Sequence, residues 1–191
     1  MMITPIQEPA ALPQILERTA ALGFNMASEP LTGAFLKTLA ASKPGGRVLE
    51  LGTGTGISAA WLLDGMDSTS TLISVDVDPA PQQIARGILG TDNRLEIRTQ
   101  DALAYLKSNN TPRFDLVFAD AMPGKYDGLE HALAVVKPGG FFVIDDLLPQ
   151  ANWPDGHAAK VPVLIQTLAA NPVFQMIPLA WASGIVIAVK R

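Results

Sequence analysis

At 191 residues, 48% of them hydrophobic and with no long polar tract, the chain is expected to be one domain, 1–191, large enough to bury a full core. Eighteen Asp and Glu against fourteen Lys and Arg, none clustered into a basic run, argue against a nucleic-acid partner and favour a small-molecule or protein substrate. The absence of cysteine removes disulfides, thiolate metal sites and a cysteine nucleophile; with a terminus Met1-Met2-Ile3-Thr4-Pro5 unlike a signal peptide and no apolar run of membrane-spanning length, the expectation is a soluble cytoplasmic protein without a membrane partner.

Residues 1–44 read as an N-terminal helical segment and 45–191 as the core. Helices are expected over 9–23 and 28–42, the second with Ser28 as N-cap, Pro30 in its first turn, and Leu31, Ala34, Phe35, Thr38 and Leu39 along one face. The apolar run at 48–51 reads as a buried strand that carries Glu50 and enters the turn Gly52-Thr53-Gly54-Thr55-Gly56, after which 57–63 is helix-forming. A second strand, 71–75, stops at Asp76-Val77-Asp78-Pro79, and a helix follows to 89. A third, 95–98, leads to Asp101 and a helix over 102–106, and a fourth, 114–118, ends at Asp120. An amphipathic helix over 126–136 is expected to stop at Lys137-Pro138-Gly139-Gly140, before a fifth strand, 141–144, that ends at Asp145-Asp146. Past a helix near 159–170, the runs 174–177 and 185–189 pair about Ala182-Ser183-Gly184 as an antiparallel hairpin at the sheet edge. Continuously apolar strands alternating with helices imply an α/β chain whose parallel sheet is covered on both faces, a three-layer αβα arrangement.

Glycines at alternate positions let the backbone turn sharply after the first strand and approach a ligand more closely than a Cβ allows. The helix that follows offers free N–H groups to an anionic group. The spacing is G-x-G-x-G, and Ile57 stands where a dinucleotide fingerprint has its third glycine, so the loop favours S-adenosylmethionine over a dinucleotide; a tight turn that holds nothing is the alternative. Glu50, Asp76, Asp101, Asp120 and the pair Asp145-Asp146 all fall at or just past strand ends, which line the ligand crevice of an open parallel sheet. Asp76, 20 residues past Gly56, suits the two hydroxyls of a ribose. Asp101 suits an adenine amino group, with Ala102 beside the ring, or equally the N-cap of the helix that begins at Ala102.

On these residues the chain resembles a class I S-adenosylmethionine-dependent methyltransferase, and within that class the catechol and caffeoyl-CoA O-methyltransferase family. The motifs that carry the resemblance are Leu49-Glu50-Leu51-Gly52-Thr53-Gly54-Thr55-Gly56 with Ser58, Val75-Asp76, Phe114-Asp115-Leu116-Val117-Phe118-Ala119-Asp120 with Tyr126, and Lys137-Pro138-Gly139-Gly140 through Ile144-Asp145-Asp146, over a stretch from about Ser28 to Lys190. It implies a Rossmann-like, doubly wound, seven-stranded and mostly parallel sheet with one reversed strand. It also implies S-adenosyl-L-methionine as cofactor, with Glu50, Gly52, Thr53, Gly54, Gly56, Ser58, Asp76, Val77, Asp101, Ala102 and Asp120 as the residues around it and the segment Met26-Ala27-Ser28 closing over it. The implied reaction is methylation of a hydroxyl on a small-molecule acceptor, catechol-like or phenolic. Relatives of this kind commonly dimerise, which makes a homodimer the implied assembly.

In that family a divalent cation such as Mg²⁺ lowers the pKa of the bound hydroxyl, held by an Asp after the fourth strand and an Asp-Asn pair after the fifth. Asp120, Asp145 and Asp146 match those positions, with Asp146 in place of the usual Asn. A Lys usually stands three residues beyond the first of these, as general base; here that position is Pro123, and Lys125 follows two residues later, past a Pro123-Gly124 step that redirects the loop. The catalytic candidates are then Asp120, Lys125 and, on its intrinsic pKa and its place after the fifth strand in Trp153-Pro154-Asp155-Gly156-His157, His157. The plain alternative for Lys125 and His157 is an exposed loop position. Trp61 reads as core, Trp153 and Trp181 as walls of an acceptor site, and His131 as structural or exposed. Two other functions stay open: an S-adenosylmethionine-binding relative without catalysis, and a nicotinamide-dependent oxidoreductase.

Overall fold

The structure, a computed structural model, describes residues 6–191, so the stretch Met1-Met2-Ile3-Thr4-Pro5 lies outside the described residues. In chain order the elements are α1 (Leu12–Leu22), α2 (Pro30–Ala41), β1 (Arg47–Leu51), α3 (Ile57–Gly65), β2 (Thr71–Asp76), α4 (Pro79–Leu89), β3 (Leu95–Thr99), α5 (Ala102–Ser108), β4 (Phe114–Ala119), α6 (Met122–Lys125), α7 (Leu129–Ala134), β5 (Val136–Ile144), α8 (His157–Ala169), β6 (Phe174–Leu179) and β7 (Ile185–Lys190). The strands form one seven-stranded sheet in the order β3-β2-β1-β4-β5-β7-β6, parallel from β3 through β5, with β7 antiparallel to both of its neighbours. The doubly wound sheet with an edge hairpin expected from the sequence is present. Among the described residues no helix is long and apolar enough to cross a membrane.

β1 and β4 sit at the centre and divide their side chains between two cores. Val48, Leu116 and Phe118 pack with Leu12, Leu36 and Trp61 from α1, α2 and α3, whereas Leu49, Leu51, Val117 and Ala119 pack with Tyr105, Ala132 and Leu164 from α5, α7 and α8. A strand buried on both faces reads as a near-continuous apolar run: β4 carries one from Leu116 to Ala119, and β1 is buried from Val48 to Leu51 with Glu50 as its polar interruption.

Three local expectations are corrected. The N-cap of α2 is Glu29, without a side-chain cap; Ser28 instead donates to Asp120. The buried stripe of α2 is Thr32, Gly33, Leu36 and Ala40 rather than the face through Leu31, which is 39% exposed. The helix is turned because the Trp61 indole lies against Gly33, where a Cβ would come within 2.4 Å of the ring. Finally, the helix expected over 126–136 shrinks to α7, which begins after Gly128 in the left-handed region, while the short α6 lies ahead of it, and Lys137-Pro138-Gly139-Gly140 does not precede the fifth strand but lies within it. Phe114 pairs with Val136 and Leu116 with Phe141, so four residues of β5 face Asp115 alone. The bulge is held by Lys137, whose ammonium is 2.8 Å from Asp115.

Candidate active site

The strand order places β1 between β2 and β4, with the first crossover to one side and the later strands to the other, and a crevice opens at their C-terminal ends. It is a cavity of about 550 Å³ lined by the glycine turn, the ends of β2, β4 and β5, the segment ahead of α2, and the stretch leading into α8. The turn is forced by packing. Gly52, at φ 106, donates to Val75 O at 2.8 Å and lies so close to β4 that a Cβ would stand 3.0 Å from Asp120 O. Gly56, at φ 91, ends the turn as the N-cap of α3, where a Cβ would meet Ala85 of α4 at 2.7 Å. No side chain caps α3, so its first-turn N–H groups remain open to a ligand.

Side chains hold the turn from three directions. Asp76 Oδ2 accepts from Gly54 N–H at 2.8 Å, and its Oδ1 accepts from Asp78 N–H at 3.0 Å. Thr55 is hydrogen-bonded to Thr19 of α1 at 2.8 Å, and Phe24, just past α1, lies over Gly54. Beneath the turn, Gln82 donates to Thr53 at 3.0 Å, Thr53 is 2.6 Å from Ser74, and Ser74 donates to Glu50 at 2.5 Å. Since each hydroxyl has one proton, the donors run in sequence from Gln82 to the Glu50 carboxylate.

Of the cofactor residues expected from the sequence, Gly52, Thr53, Gly54, Ser58, Asp76 and Asp120 line the cavity. Glu50 lies wholly buried below it and Gly56 behind it. Val77 is 69% exposed, Ala102 is in the core, and Asp101 is exposed and caps α5 by accepting from Ala104 N–H at 2.7 Å. Met26, Ala27 and Ser28 lie along the cavity wall, as does Trp153, while Trp181 packs edge-on against Phe35. Trp61 is fully buried, and His131 stands 3.6 Å from Glu130.

At the β4 and β5 ends, Asp120, Lys125, Asp145, Asp146 and His157 come together. Pro123 at φ −66, ψ 135 and Gly124 at φ 86 break α6 and turn Lys125 inward, so it is 3% exposed rather than solvated. Its Nζ donates to Asp146 O at 3.3 Å and lies 3.9 Å from Asp146 Oδ2. Burial pushes the Lys125 pKa down, against the pull of Asp120, Asp146 and Asp145. Asp120, which accepts from Ser28 at 3.2 Å, is held well above the usual carboxylate range by burial and by the Asp145 charge. Asp145 accepts from Ser183, in the β6–β7 turn, and from Asp146 N–H at 2.7 Å; burial still raises its pKa.

His157 opens α8, buried at 5% exposure, where the sequence allowed an exposed loop. Its Nε2 is 3.0 Å from the Tyr126 hydroxyl and 3.7 Å from Asp146 Oδ2, its ring stacks on Trp153 at 4.3 Å, and its Nδ1 has no partner. Burial, and next the Lys125 charge, lower its pKa. Ser183 and Phe24 were not singled out as site residues from the sequence, and Ser28 was named only within the segment expected to close over the cofactor; no local pattern marks their partners, since Ser28 and Asp120 are 92 residues apart and Ser183 and Asp145 38.

A glycine-rich turn, an acid after β2 and a cluster of acids after β4 and β5 now stand in one crevice, and the family model for O-methyltransferases matches residues 3–191. The chain belongs to the O-methyltransferase family. A curated relative from Mycolicibacterium vanbaalenii, provisionally named an O-methyltransferase, is 33% identical over 147 residues, covering 73% of this chain and 63% of its own length. Across the first curated relatives the chain spans 63% to 65% of their length. Among solved structures, the O-methyltransferase from Bacillus cereus in complex with SAH is 25% identical with a TM-score of 0.85, covering 98% of this chain and 94% of that one. The fold is shared with the O-methyltransferase TomG from Streptomyces achromogenes in complex with SAM, at 23% identity, TM-score 0.83, and coverage of 98% and 92%. Family membership leaves the nicotinamide-dependent oxidoreductase alternative without support.

The residues that the family resemblance implied for a divalent cation, Asp120, Asp145 and Asp146, stand at the ends of β4 and β5. Among the described residues no three His, Cys, Asp or Glu side chains are disposed to hold an ion. Asp145 is 2% exposed and engaged by Ser183 and Asp146 N–H, Asp146 Oδ1 accepts from Trp153 Nε1 at 2.5 Å, and the Lys125 ammonium stands among the carboxylates. Asp120, Asp145 and Asp146 are thus together in the fold, with Asp145 and Asp146 already accepting hydrogen bonds from their neighbours.

Proposed function

We propose that this protein transfers a methyl group from S-adenosylmethionine to a hydroxyl of a small-molecule acceptor, catechol-like or phenolic. The observation that carries the reading is the crevice itself: an uncapped α3 N-terminus, a close-approach glycine turn and the acid of β2 around a cavity of about 550 Å³. The SAH held by the Bacillus cereus relative, at 25% identity, supports it.

Gly52, Thr53 and Gly54, with Ser58, are suited to the amino-acid end of the donor, and Asp76 to the ribose hydroxyls. When bound, the sulfonium supplies a methyl group already activated for transfer. What remains for the chain is to hold the acceptor oxygen in line and to manage its proton. Trp153 and Met122 give the cavity an apolar wall, while His157 and Lys125 bring polar groups to it, with the Tyr126 hydroxyl 3.0 Å from His157 Nε2. His157, which lines the cavity and whose lowered pKa keeps its imidazole neutral and able to accept, is suited to take the hydroxyl proton.

Isothermal titration with S-adenosylmethionine and SAH, followed by product detection on a panel of catechols and phenols, tests the reading. Binding of both with methylated product is the expected result. Absence of heat with either ligand overturns it; binding without turnover across the panel favours the binding relative that lacks catalysis.

A further inference from the structure

We propose that the buried ammonium of Lys125 is the built-in cation of the Asp120, Asp145 and Asp146 cluster, so that this chain holds the acceptor's hydroxyl oxygen against Lys125 and needs no divalent metal ion. The proposal deepens the methyltransferase reading and rests on it for the acceptor, though not for the exclusion of a metal.

Three observations support it. Lys125 is sealed at 3% exposure yet lines the cavity, and a buried charge is tolerated only where opposite charge and hydrogen bonds meet it. The opposite charge comes from the three aspartates, with Asp146 Oδ2 at 3.9 Å. Second, the ammonium is under-used. It has three N–H donors, and among the described residues its one hydrogen bond is to Asp146 O at 3.3 Å, so donors remain for an acceptor oxygen in the cavity that Lys125 lines. Third, its position is enforced by the backbone. Pro123 and Gly124, the latter at φ 86 and so close to Leu51 that a Cβ would stand 2.4 Å from its Cδ1, deliver the side chain under the cavity.

The same placement works against a divalent ion. A cation brought to these aspartates meets the Lys125 charge at close range and displaces the hydrogen bonds that Asp145 and Asp146 already accept from Ser183 and Trp153. An acceptor hydroxyl meets none of that opposition. As its proton passes to a base such as His157, the oxygen gains negative charge that the Lys125 N–H groups stabilise without reorganisation, and that charge is spent as the oxygen–methyl bond forms and the sulfur–methyl bond of the donor breaks.

The test is Mn²⁺ binding followed by electron paramagnetic resonance, with SAH present and absent, on the wild-type protein, Lys125→Met and Lys125→Arg. Wild type and Lys125→Arg should leave Mn²⁺ free at millimolar concentration, and Lys125→Met should bind it. In parallel, 4-nitrocatechol with SAH and EDTA should show the catecholate absorption with wild type and lose it in Lys125→Met. Tight Mn²⁺ binding by wild type, or a catecholate spectrum that appears only on adding Mg²⁺, overturns the proposal. SAH titration separates the two failures: absence of SAH binding removes the methyltransferase reading, while the Mn²⁺ result still decides whether Lys125 excludes a metal. Should Lys125→Met fail to fold by circular dichroism, the wild-type and Lys125→Arg measurements decide alone.

Discussion

Ser74 Oγ donates to Glu50 Oε2 at 2.5 Å, yet the other oxygen of that carboxylate, Oε1, is sealed from solvent with no hydrogen-bond partner. Burial dominates and pushes Glu50 up from 4.5 to about 7, with Ser58 and Ser74 offsetting part of it. The native state therefore holds a proton that the unfolded chain has lost between these two values, and stability falls as pH rises from 4.5 to about 7. The full loss is roughly 3 kcal/mol. Glu50→Gln keeps an acceptor for Ser74 and cannot ionise. Its stability relative to wild type should rise with pH over that window in urea titrations at about pH 5 and about pH 8; a difference constant across pH would show that Glu50 does not titrate there.

Asp76 is asked to do two things, and a pair of substitutions separates them. It ties the glycine turn to β2 through Gly54 N–H at 2.8 Å, and its position at the cavity suits a ribose. Asp76→Ala should weaken SAH binding by about 1.5–3 kcal/mol, roughly ten- to a hundred-fold in Kd. Asp76→Asn keeps an acceptor for Gly54 and should recover part of it. Unchanged calorimetric affinity in Asp76→Ala would place the donor away from β2.

The sequence made legible whatever is local: the glycine turn, the acids at strand ends, and the alternation that builds the sheet. It did not show which way α2 faces, because that depends on Gly33 meeting Trp61 from another helix. Nor did it show that Lys137-Pro138-Gly139-Gly140, a strong helix stop, is absorbed as a bulge, since the partner residue Asp115 lies in the preceding strand. Lys125 and His157 were both candidates with an exposed loop as the alternative; burial decided for the cavity, and burial is a property of what packs around a residue.

His157 gives a pH dependence opposite in sign to that of Glu50. Burial and Lys125 lower its pKa from 6.5, so on acidification the unfolded chain takes up a proton that the native imidazole refuses. Its contribution is present above 6.5 and is lost as pH falls below it. His157→Gln should flatten the acid limb of the stability profile, and Tyr126→Phe, which removes the partner at 3.0 Å, should leave that limb in place while altering turnover. If urea midpoints of His157→Gln follow the wild-type acid limb, another group is responsible.

Ser183 tests the far wall of the site. Its hydroxyl donates to Asp145, which is 2% exposed, and Thr32 Oγ1 stands 3.3 Å behind it. Because Ser183 has one proton and gives it to the carboxylate, Thr32 must donate to Ser183, so α2, the β6–β7 turn and the end of β5 are joined through one hydroxyl. Ser183→Ala strips a donor from a buried carboxylate and leaves Thr32 without its acceptor, at a cost of about 1.5–3 kcal/mol in unfolding free energy. Asp145→Asn lowers the demand for that donor, so the two changes should be less than additive when combined, with a coupling of about 0.5–3 kcal/mol. Strict additivity in urea denaturation would mean that Ser183 does not support Asp145, and that the carboxylate is held by Asp146 N–H and Lys125 instead.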